Sequence, residues 1–490
     1  MQQRAKHIRG VLQAVLVCGM IVQILLGLAW LIKNMGGLQS FQESRTLLTG
    51  ESQGAGIYSG VLYRGLAGLL ASHLWILYGM QLAAALAAGY GLIASFLTGK
   101  NRLLSLLGTL ALVTIPQALQ CHLAVLPWSL GTSLLAGETA LWLRQYRRYH
   151  GRPEKEGSSA GKEQASEAGN VQEIRRLAGM LGIWLLMLLI LPVYAWFILP
   201  LVTAALWQRR KGKGKRGVLA FSLTVLLLGV CTLGVNCGFR PADWNRQLAA
   251  DALSRWSWPY FQDNYEVFPT TLHEDIGLVT AREVSAYADG VERVLIPKLE
   301  EQYGVEETTA LLWELTGICL RENLKKDVKN VIWDLAAYHA APPILAMQLR
   351  GRAYESYSGI NYEQMKNRAP VLTRYYVTYG CRWWWMMLTL AAVIGLCGLL
   401  TGGKGFGRAE TPEASGAVFP QAQKALRGRL RDFMCRYLPV GIGTEMMILC
   451  FVFSGSGIMD YKKAVWVTML WYLPALSQLG SGKRVEKWQQ

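Results

Sequence analysis

Long apolar runs recur through the chain and constrain its fold more than any other feature of the sequence. The first extends from Val11 to Ile32 after three basic residues and predicts a signal anchor, because it is too long for the core of a cleaved signal peptide. Further runs of near-spanning length are Trp75–Leu97, Leu103–Cys121, Ala124–Leu143, Leu177–Trp207, Val218–Asn236, Trp383–Leu400, Leu438–Phe453 and Ala464–Leu479. With 52% hydrophobic and only 17% charged residues, the chain is predicted to be an all-α, polytopic membrane protein with about ten membrane segments.

Basic residues predict the topology, because Lys and Arg accumulate on the cytoplasmic side of membrane proteins. Clusters flank the apolar runs at 100–102, 144–152, 209–216, 424–436 and 483–487. Both ends of Leu177–Trp207 are basic, so a single crossing would place one cluster on the wrong side of the membrane. A short helical hairpin turning near Pro192 resolves this conflict. The chain is then predicted to lie in the cell membrane with both termini cytoplasmic.

The same topology places residues 238–381 outside the cytoplasm, and the charges agree. This stretch carries 15 basic and 19 acidic residues, a net charge of −4, whereas the rest of the chain carries +21. The predicted domains are an N-terminal membrane bundle (1–237) with a cytoplasmic linker (144–176), the extracytoplasmic domain (238–381), and C-terminal membrane segments (382–490) with a cytoplasmic loop (403–436). Because the basic residues lie in short segments between apolar runs, they indicate topology and not a nucleic-acid partner.

The extracytoplasmic domain is predicted to be helical. A capping-box pattern at Thr280–Glu283 precedes apolar residues at helical spacing, and Gly304 is expected to stop that helix. Two more helices are predicted over Glu306–Asn323 and from Asp327 to the Pro342-Pro343 pair, and an earlier one over Asp243–Arg255. Aromatic residues crowd both flanks of the domain, and they fit either a sugar- or lipid-facing surface or an interfacial belt.

Several motifs that would identify a catalytic mechanism are missing. No Gly-Lys pair is followed by Ser or Thr, so a Walker A nucleotide site is excluded. His273 lacks the second histidine of a zinc motif, and the nine cysteines form no C-x-x-C pair. The one G-x-S-x-G match, Gly157–Gly161, falls in the Gly- and Ser-rich linker without a strand or helix to present it. No cofactor and no metal site are therefore expected.

The most informative segments lie between the first membrane runs. They are Gln42-Glu-Ser-Arg-Thr-Leu-Leu-Thr-Gly-Glu51, Gly56-Ile-Tyr-Ser-Gly-Val-Leu-Tyr-Arg64, and Ile115-Pro-Gln-Ala-Leu-Gln-Cys-His-Leu-Ala-Val-Leu-Pro127. An acidic residue after the first span, followed by a Tyr-containing loop, resembles the start of membrane glycosyltransferases of the C type (GT-C). The resemblance covers roughly residues 9 to 210. The extracytoplasmic domain resembles only bacterial membrane proteins without an assigned activity.

The resemblance implies a glycosyltransferase that acts on a lipid-linked sugar at the outer face of the membrane, for cell-envelope glycan assembly. Such an enzyme needs a carboxylate base, cations for the phosphate and aromatic rings for the sugar. Glu43 would be the base and His122 would face the same pocket, while the substrate would contact Arg45, Tyr58, Tyr63 and Arg64. The family's second acidic loop residue is missing, because the loop with His122 contains neither Asp nor Glu. The expected partners are membrane lipid and a lipid-linked sugar.

Other functions remain open at the level of sequence. Glu43 and Arg45 also fit ordinary solvated loop charges, and the chain then fits a non-catalytic binding or scaffold protein of the envelope. A transporter or flippase is a further alternative, because Glu138 and Glu445 lie within predicted spans, where carboxylates are costly and tend to face cavities. Snorkelling toward the nearby basic clusters explains these two residues equally well.

Overall fold

In a computed structural model of the 490-residue chain, the described residues are helical or lie in turns between helices, and none of them is in a strand. This confirms the predicted all-α class for that part of the chain. The described residues are 2–34, 60–96, 102–114, 118–119, 122–150, 178–192, 226–227, 229–231, 234, 245–246, 248–250, 252–253, 294–340, 389, 393, 435, 437–443 and 445–446.

Within the described residues, seven helices have defined bounds. They are α1 (Gln2–Asn34), α2 (Val61–Leu69), α3 (Leu74–Phe96), α4 (Arg102–Val113), α5 (Pro127–His150), α6 (Ala178–Ile190) and α7 (Ile296–Ala340). Helices α1, α3, α4, α5 and α6 overlap predicted apolar runs, whereas α2 and α7 lie outside them. Among the described residues, α3 alone is long and apolar enough to cross a membrane by length and composition. Shorter apolar helical stretches are Val17–Ala29, α4 and α6.

Helix α5 packs against both α3 and α6. Ser95 near the end of α3 donates to the Ala140 carbonyl at 3.4 Å, and Gln81 near its start contacts the carbonyl of Ala124, so α3 and α5 run in the same direction. Helix α6 runs the opposite way, because a Cβ on Gly179 would lie 3.7 Å from Leu141 Cδ1 and one on Gly137 3.8 Å from Ile183 Cδ1. The buried apolar core between these helices includes Leu77, Ala85, Leu92, Phe96, Trp142, Leu143, Met187 and Leu188.

Helix α6 covers the stretch that was predicted to be the first arm of a hairpin. It begins beside the second half of α5 and ends where the Ile190 carbonyl accepts a hydrogen bond from Gly60 N–H at 2.8 Å. Leu191 N–H bonds the Met187 carbonyl at 2.7 Å, and the described stretch ends at Pro192, so the turn near Pro192 stays a prediction. The return arm, 193–207, falls outside the described residues.

The contacts of α1 and α4 define the two ends of the bundle. A Cβ on Gly27 of α1 would overlap the Thr114 carbonyl just after α4, and Leu31 packs on Leu119. The Ile93 side chain lies against the backbone of Gly108, where a Cβ would be 3.2 Å from Ile93 Cδ1, and this contact brings α4 alongside the last turn of α3. The ends of α1 and α4 therefore lie beside the start of α3, and we call this side of the bundle the α2 end. The opposite side, with Phe96, Arg102 and Arg144, is the Arg144 end.

The long helix α7 differs from the sequence-based expectation of separate helices. It continues through Gly304 and through 324–326, where breaks were predicted. Gly304 has a φ of +79°, in the left-handed region, so the predicted stop is a local distortion within a continuous helix. Packing explains the continuity, since Leu295, Leu299, Leu312 and Leu315 on both sides of Gly304 share one core with Ala249, Ala250 and Leu253.

Residues 245–253 confirm the predicted helix over Asp243–Arg255 wherever they are described. An Arg246–Glu300 ion pair and a bond of 3.3 Å from Trp313 Nε1 to Asn245 Oδ1 join this helix to α7. The predicted helix after Thr280 lies outside the described residues, apart from its last positions, 294–297. The aromatic flanks also lie outside them.

Candidate functional site

A hydrogen-bond network centred on Gln81 joins three chain segments at the α2 end. Gln81 Oε1 accepts from the Tyr63 hydroxyl at 2.9 Å, and Gln81 Nε2 donates to the carbonyls of His122 and Ala124, both at 2.8 Å. Gln81 and Tyr63 have no exposed surface. One amide side chain therefore uses its acceptor and both of its donors to hold α2 and the 122–126 loop on α3.

His122 lies inside this network. It is fully buried, and its Nδ1 is 2.8 Å from Ser129 Oγ, with which it shares a hydrogen bond. Burial lowers the pKa of His122 to about 3, so the imidazole is neutral at physiological pH. A neutral ring without exposed atoms orients the loop, and a substrate can reach it only after the loop rearranges. The catalytic role of His122 stays a prediction.

Tyr63 and Arg64 are adjacent in α2 but have different surroundings. The Tyr63 ring is buried with its hydroxyl on Gln81, so its observed contacts are structural. Arg64 is half-buried, and its Nε is a buried donor without a partner. Partial burial lowers the pKa of the Arg64 guanidinium, which stays charged because its ordinary value is very high. An unsatisfied guanidinium N–H suits a phosphate oxygen.

The remaining predicted residues, Glu43, Arg45 and Tyr58, lie outside the described residues. The ends of the segment that contains them are defined, because α1 ends at Asn34 and the chain is described again from Gly60. Leu31 of α1 packs on Leu119, and Gly60 bonds Ile190. The described residues that flank this segment on either side therefore lie at the α2 end, beside the 122–126 loop.

Gln81 and Ser129 were not among the residues predicted from sequence. A signal for Gln81 exists, since it is the one amide in the otherwise apolar run Trp75–Leu97, and an amide in such a run needs buried partners. Ser129 carries no comparable signal. Within the described part of the chain, no group of three or more His, Cys, Asp or Glu residues is placed to hold a metal ion.

The Arg144 end contains a second, simpler network. Arg144 Nε donates to Ser95 Oγ at 3.1 Å, and Ser95 donates in turn to the Gly91 carbonyl at 2.6 Å. The Tyr437 ring stacks on Phe96, with ring centroids 5.9 Å apart and planes 9° from parallel. The helical residues 437–443 therefore pack on the last turn of α3 at the Arg144 end.

The buried neutral His122 predicts a pH-dependent stability. Between pH 6.5 and about 3 the unfolded chain binds a proton at this ring that the folded chain does not. The contribution of the neutral His122 ring to the free energy of unfolding is therefore complete above pH 6.5. It declines as the pH falls, by about 1.4 kcal/mol per pH unit. Thermal unfolding in detergent at a series of pH values should show a smaller loss for His122→Asn than for the parent chain. The exposed His73 is the control, and His73→Asn should behave like the parent. Equal pH slopes for all three proteins would contradict the assignment.

Comparison with protein-family models, with curated proteins and with solved structures gives no match to this chain.

Proposed function

We propose that this chain is a multi-pass membrane protein of the cell envelope that transfers a sugar from a lipid-phosphate-linked donor at the extracytoplasmic face. In this proposal the α2 end faces outward and the Arg144 end faces the cytoplasm. Arg102 at the start of α4 and Arg144 near the end of α5 lie on the same side of the bundle, which supports the predicted topology. Residues 238–381, with their net charge of −4, then lie outside.

Exposed apolar side chains support a lipid environment for the bundle. Ile32, Trp75 and Leu103, on three different helices, are 73%, 72% and 67% exposed. Large apolar side chains turned outward on several helices of one bundle are expensive in water and favourable in lipid. Since α3 alone meets the length and hydropathy test among the described residues, the shorter helices would cross with tilt or with cover from neighbours.

The observation that carries the enzymatic part is the meeting of three segments at the α2 end. Helix α1 ends there, α2 begins there, and the 122–126 loop is bonded there through Gln81. Glu43 follows Asn34 by nine residues, so an extended chain places it within about 30 Å of that point. The proposal brings Glu43 and Arg64 together on this side of the bundle.

In the proposed reaction each group has a separate task. Glu43 accepts the proton of the acceptor hydroxyl, and Arg64 with Arg45 binds the donor phosphate and stabilises its charge as the bond to the sugar breaks. Tyr58 provides an aromatic surface for the sugar. Tyr63, held by Gln81, and His122, held by Ser129, position α2 and the loop around these groups.

Replacing Arg64 tests the donor site. The purified full-length protein is reconstituted in liposomes with a polyprenyl-phosphate-linked sugar, and transfer is measured against donor concentration. Arg64→Ala should raise KM for the donor about 10- to 100-fold, because a charged hydrogen bond to phosphate contributes about 1.5–3 kcal/mol. Arg64→Lys should recover part of the loss. Arg102→Ala, an exposed arginine at the opposite end, is the matched control and should leave KM unchanged. Equal effects of Arg64→Ala and Arg102→Ala would contradict the proposed role.

A failure to transfer sugar from any lipid-linked donor would favour a non-catalytic envelope scaffold.

A second function, transport, is favoured by one specific observation, the fully buried Glu138 inside the bundle.

A further inference from the structure

Glu138 lies in the middle of α5 and has an environment unlike that of any charged residue discussed above. Its side chain has no exposed surface, and both carboxyl oxygens are buried without a hydrogen-bond partner. Most buried polar groups in proteins have a partner, so a buried carboxyl group with none is a rare arrangement. It needs an explanation beyond packing.

The helices that are described as packing on α5 do not neutralise Glu138. Neither α3 nor α6 contains an Asp, Glu, Lys, Arg or His residue, and the titratable groups they bring to the bundle are Tyr78 and Tyr90 of α3. On α5 itself, Arg144 is bonded to Ser95 on the side that faces α3. An ionised carboxylate in this position would be an uncompensated buried charge, which costs several kcal/mol.

A second unpartnered polar side chain lies on the same face of α5. Gln145 is 2% exposed, and both its amide oxygen and its amide nitrogen are buried without a partner. It follows Glu138 by seven residues, which is two helical turns and about 10 Å along the axis. The two side chains do not bond each other, and Gln145 extends the polar face of α5 from Glu138 toward the Arg144 end.

We propose that Glu138 is a proton-binding site of the bundle, which takes up and releases its proton through the Arg144 end past Gln145. In the packed conformation the carboxyl group is protonated and neutral. Release leaves a carboxylate and transfers the proton to water, so it requires water to reach α5. Proton release is therefore linked to loosening of the helices around Glu138, whatever reaction the α2 end performs.

A hydrophobic carbodiimide tests this site on the full-length protein in detergent. Dicyclohexylcarbodiimide reacts with a protonated carboxyl group: the acid proton moves to a carbodiimide nitrogen, and a carboxyl oxygen bonds to the central carbon. The adduct then rearranges to a stable N-acylurea, with no leaving group and no oxidation or reduction. Peptide mass spectrometry measures how much of Glu138 is modified at each pH.

Glu138 should be modified at neutral and acidic pH, and the modification should fall as the pH is raised. Glu138→Gln should lose the modification at this peptide, whereas Glu445→Gln, at a half-buried position elsewhere, should leave it unchanged. A water-soluble carbodiimide should modify the exposed Glu301, Glu306 and Glu307 but not Glu138. When the carbodiimide is added at increasing times after a rapid rise in pH, Gln145→Leu should slow the loss of Glu138 reactivity, because it removes the polar group on the proposed exit.

Three outcomes would overturn the proposal. The first is no modification of Glu138 at any pH although unfolded protein is modified. The second is equal modification by the water-soluble reagent, which would mean that Glu138 is hydrated. The third is protection by sodium or potassium chloride but not by choline chloride, which would identify a small metal cation and not a proton as the ligand. Because sugar transfer is not measured, failure here leaves the proposed function intact, and the reverse also holds.

Discussion

Replacing Glu43 by glutamine should lower sugar transfer by about 10²- to 10⁴-fold, because the loss of a general base typically has an effect of this size. The amide has nearly the same shape as the carboxylate but cannot accept the proton of the acceptor hydroxyl. Expression, membrane insertion and donor binding should therefore persist. The measurement is the initial rate of transfer in liposomes at saturating donor, with donor binding determined separately.

The same segment offers a matched control for Glu43. Glu51 lies eight residues further along and has no assigned role, so Glu51→Gln should keep the parental rate. A loss of activity in both variants would point to the overall charge of the 35–59 segment and not to one base. An unchanged rate for Glu43→Gln would remove Glu43 from the mechanism and shift attention to a non-catalytic role for this segment.

Replacing Gln81 by leucine should cause a large loss of stability at the α2 end. Leucine fills much of the same space but removes one acceptor and two donors, so the bonds to Tyr63, His122 and Ala124 are lost together. At about 1 kcal/mol each, these three bonds amount to roughly 3 kcal/mol. Unfolding of the detergent-solubilised protein, followed by circular dichroism, measures the difference.

A double-mutant cycle distinguishes the stability lost with the Tyr63–Gln81 bond from any loss that introducing a leucine would cause by itself. Tyr63→Phe alone should cost about 1 kcal/mol, and much less in the Gln81→Leu background, because the shared bond is already absent. Gln302→Leu, at an exposed position of α7, should change stability by less than about 0.5 kcal/mol. Additive effects of Tyr63→Phe and Gln81→Leu would mean that the Tyr63–Gln81 bond contributes nothing.

The parts of the fold that were predictable from sequence are those determined by local composition. The run Trp75–Leu97 became α3 within one residue at each end, and Leu177–Ile190 became α6, because an unbroken apolar run without Pro or charge has few alternatives to a helix. The Leu103–Cys121 run is shorter as a helix than predicted: α4 ends at Val113, shortly before Pro116, which restricts the residue before it.

What was not predictable depends on contacts between distant residues. Gly304 carries the local signal of a helix end, and a core shared by residues on both sides of it keeps α7 continuous. At the site, His122 and Arg64 were identified from resemblance to a family, but the amide that joins their segments belongs to a third helix. Sequence spacing contains no information on the contact of Gln81 with residues more than 40 positions away.

The bond between Gly60 N–H and the Ile190 carbonyl has a consequence for the order of events during synthesis. The two residues are separated by 130 positions, which at about 5–20 residues per second is a delay on the order of 10 s. During that interval the 35–59 segment and α2 have been made but their anchor on α6 has not. A nascent chain that stops before residue 190 would contain Glu43 and Arg64. It would lack the Gly60–Ile190 bond, which anchors the residue between the 35–59 segment and α2.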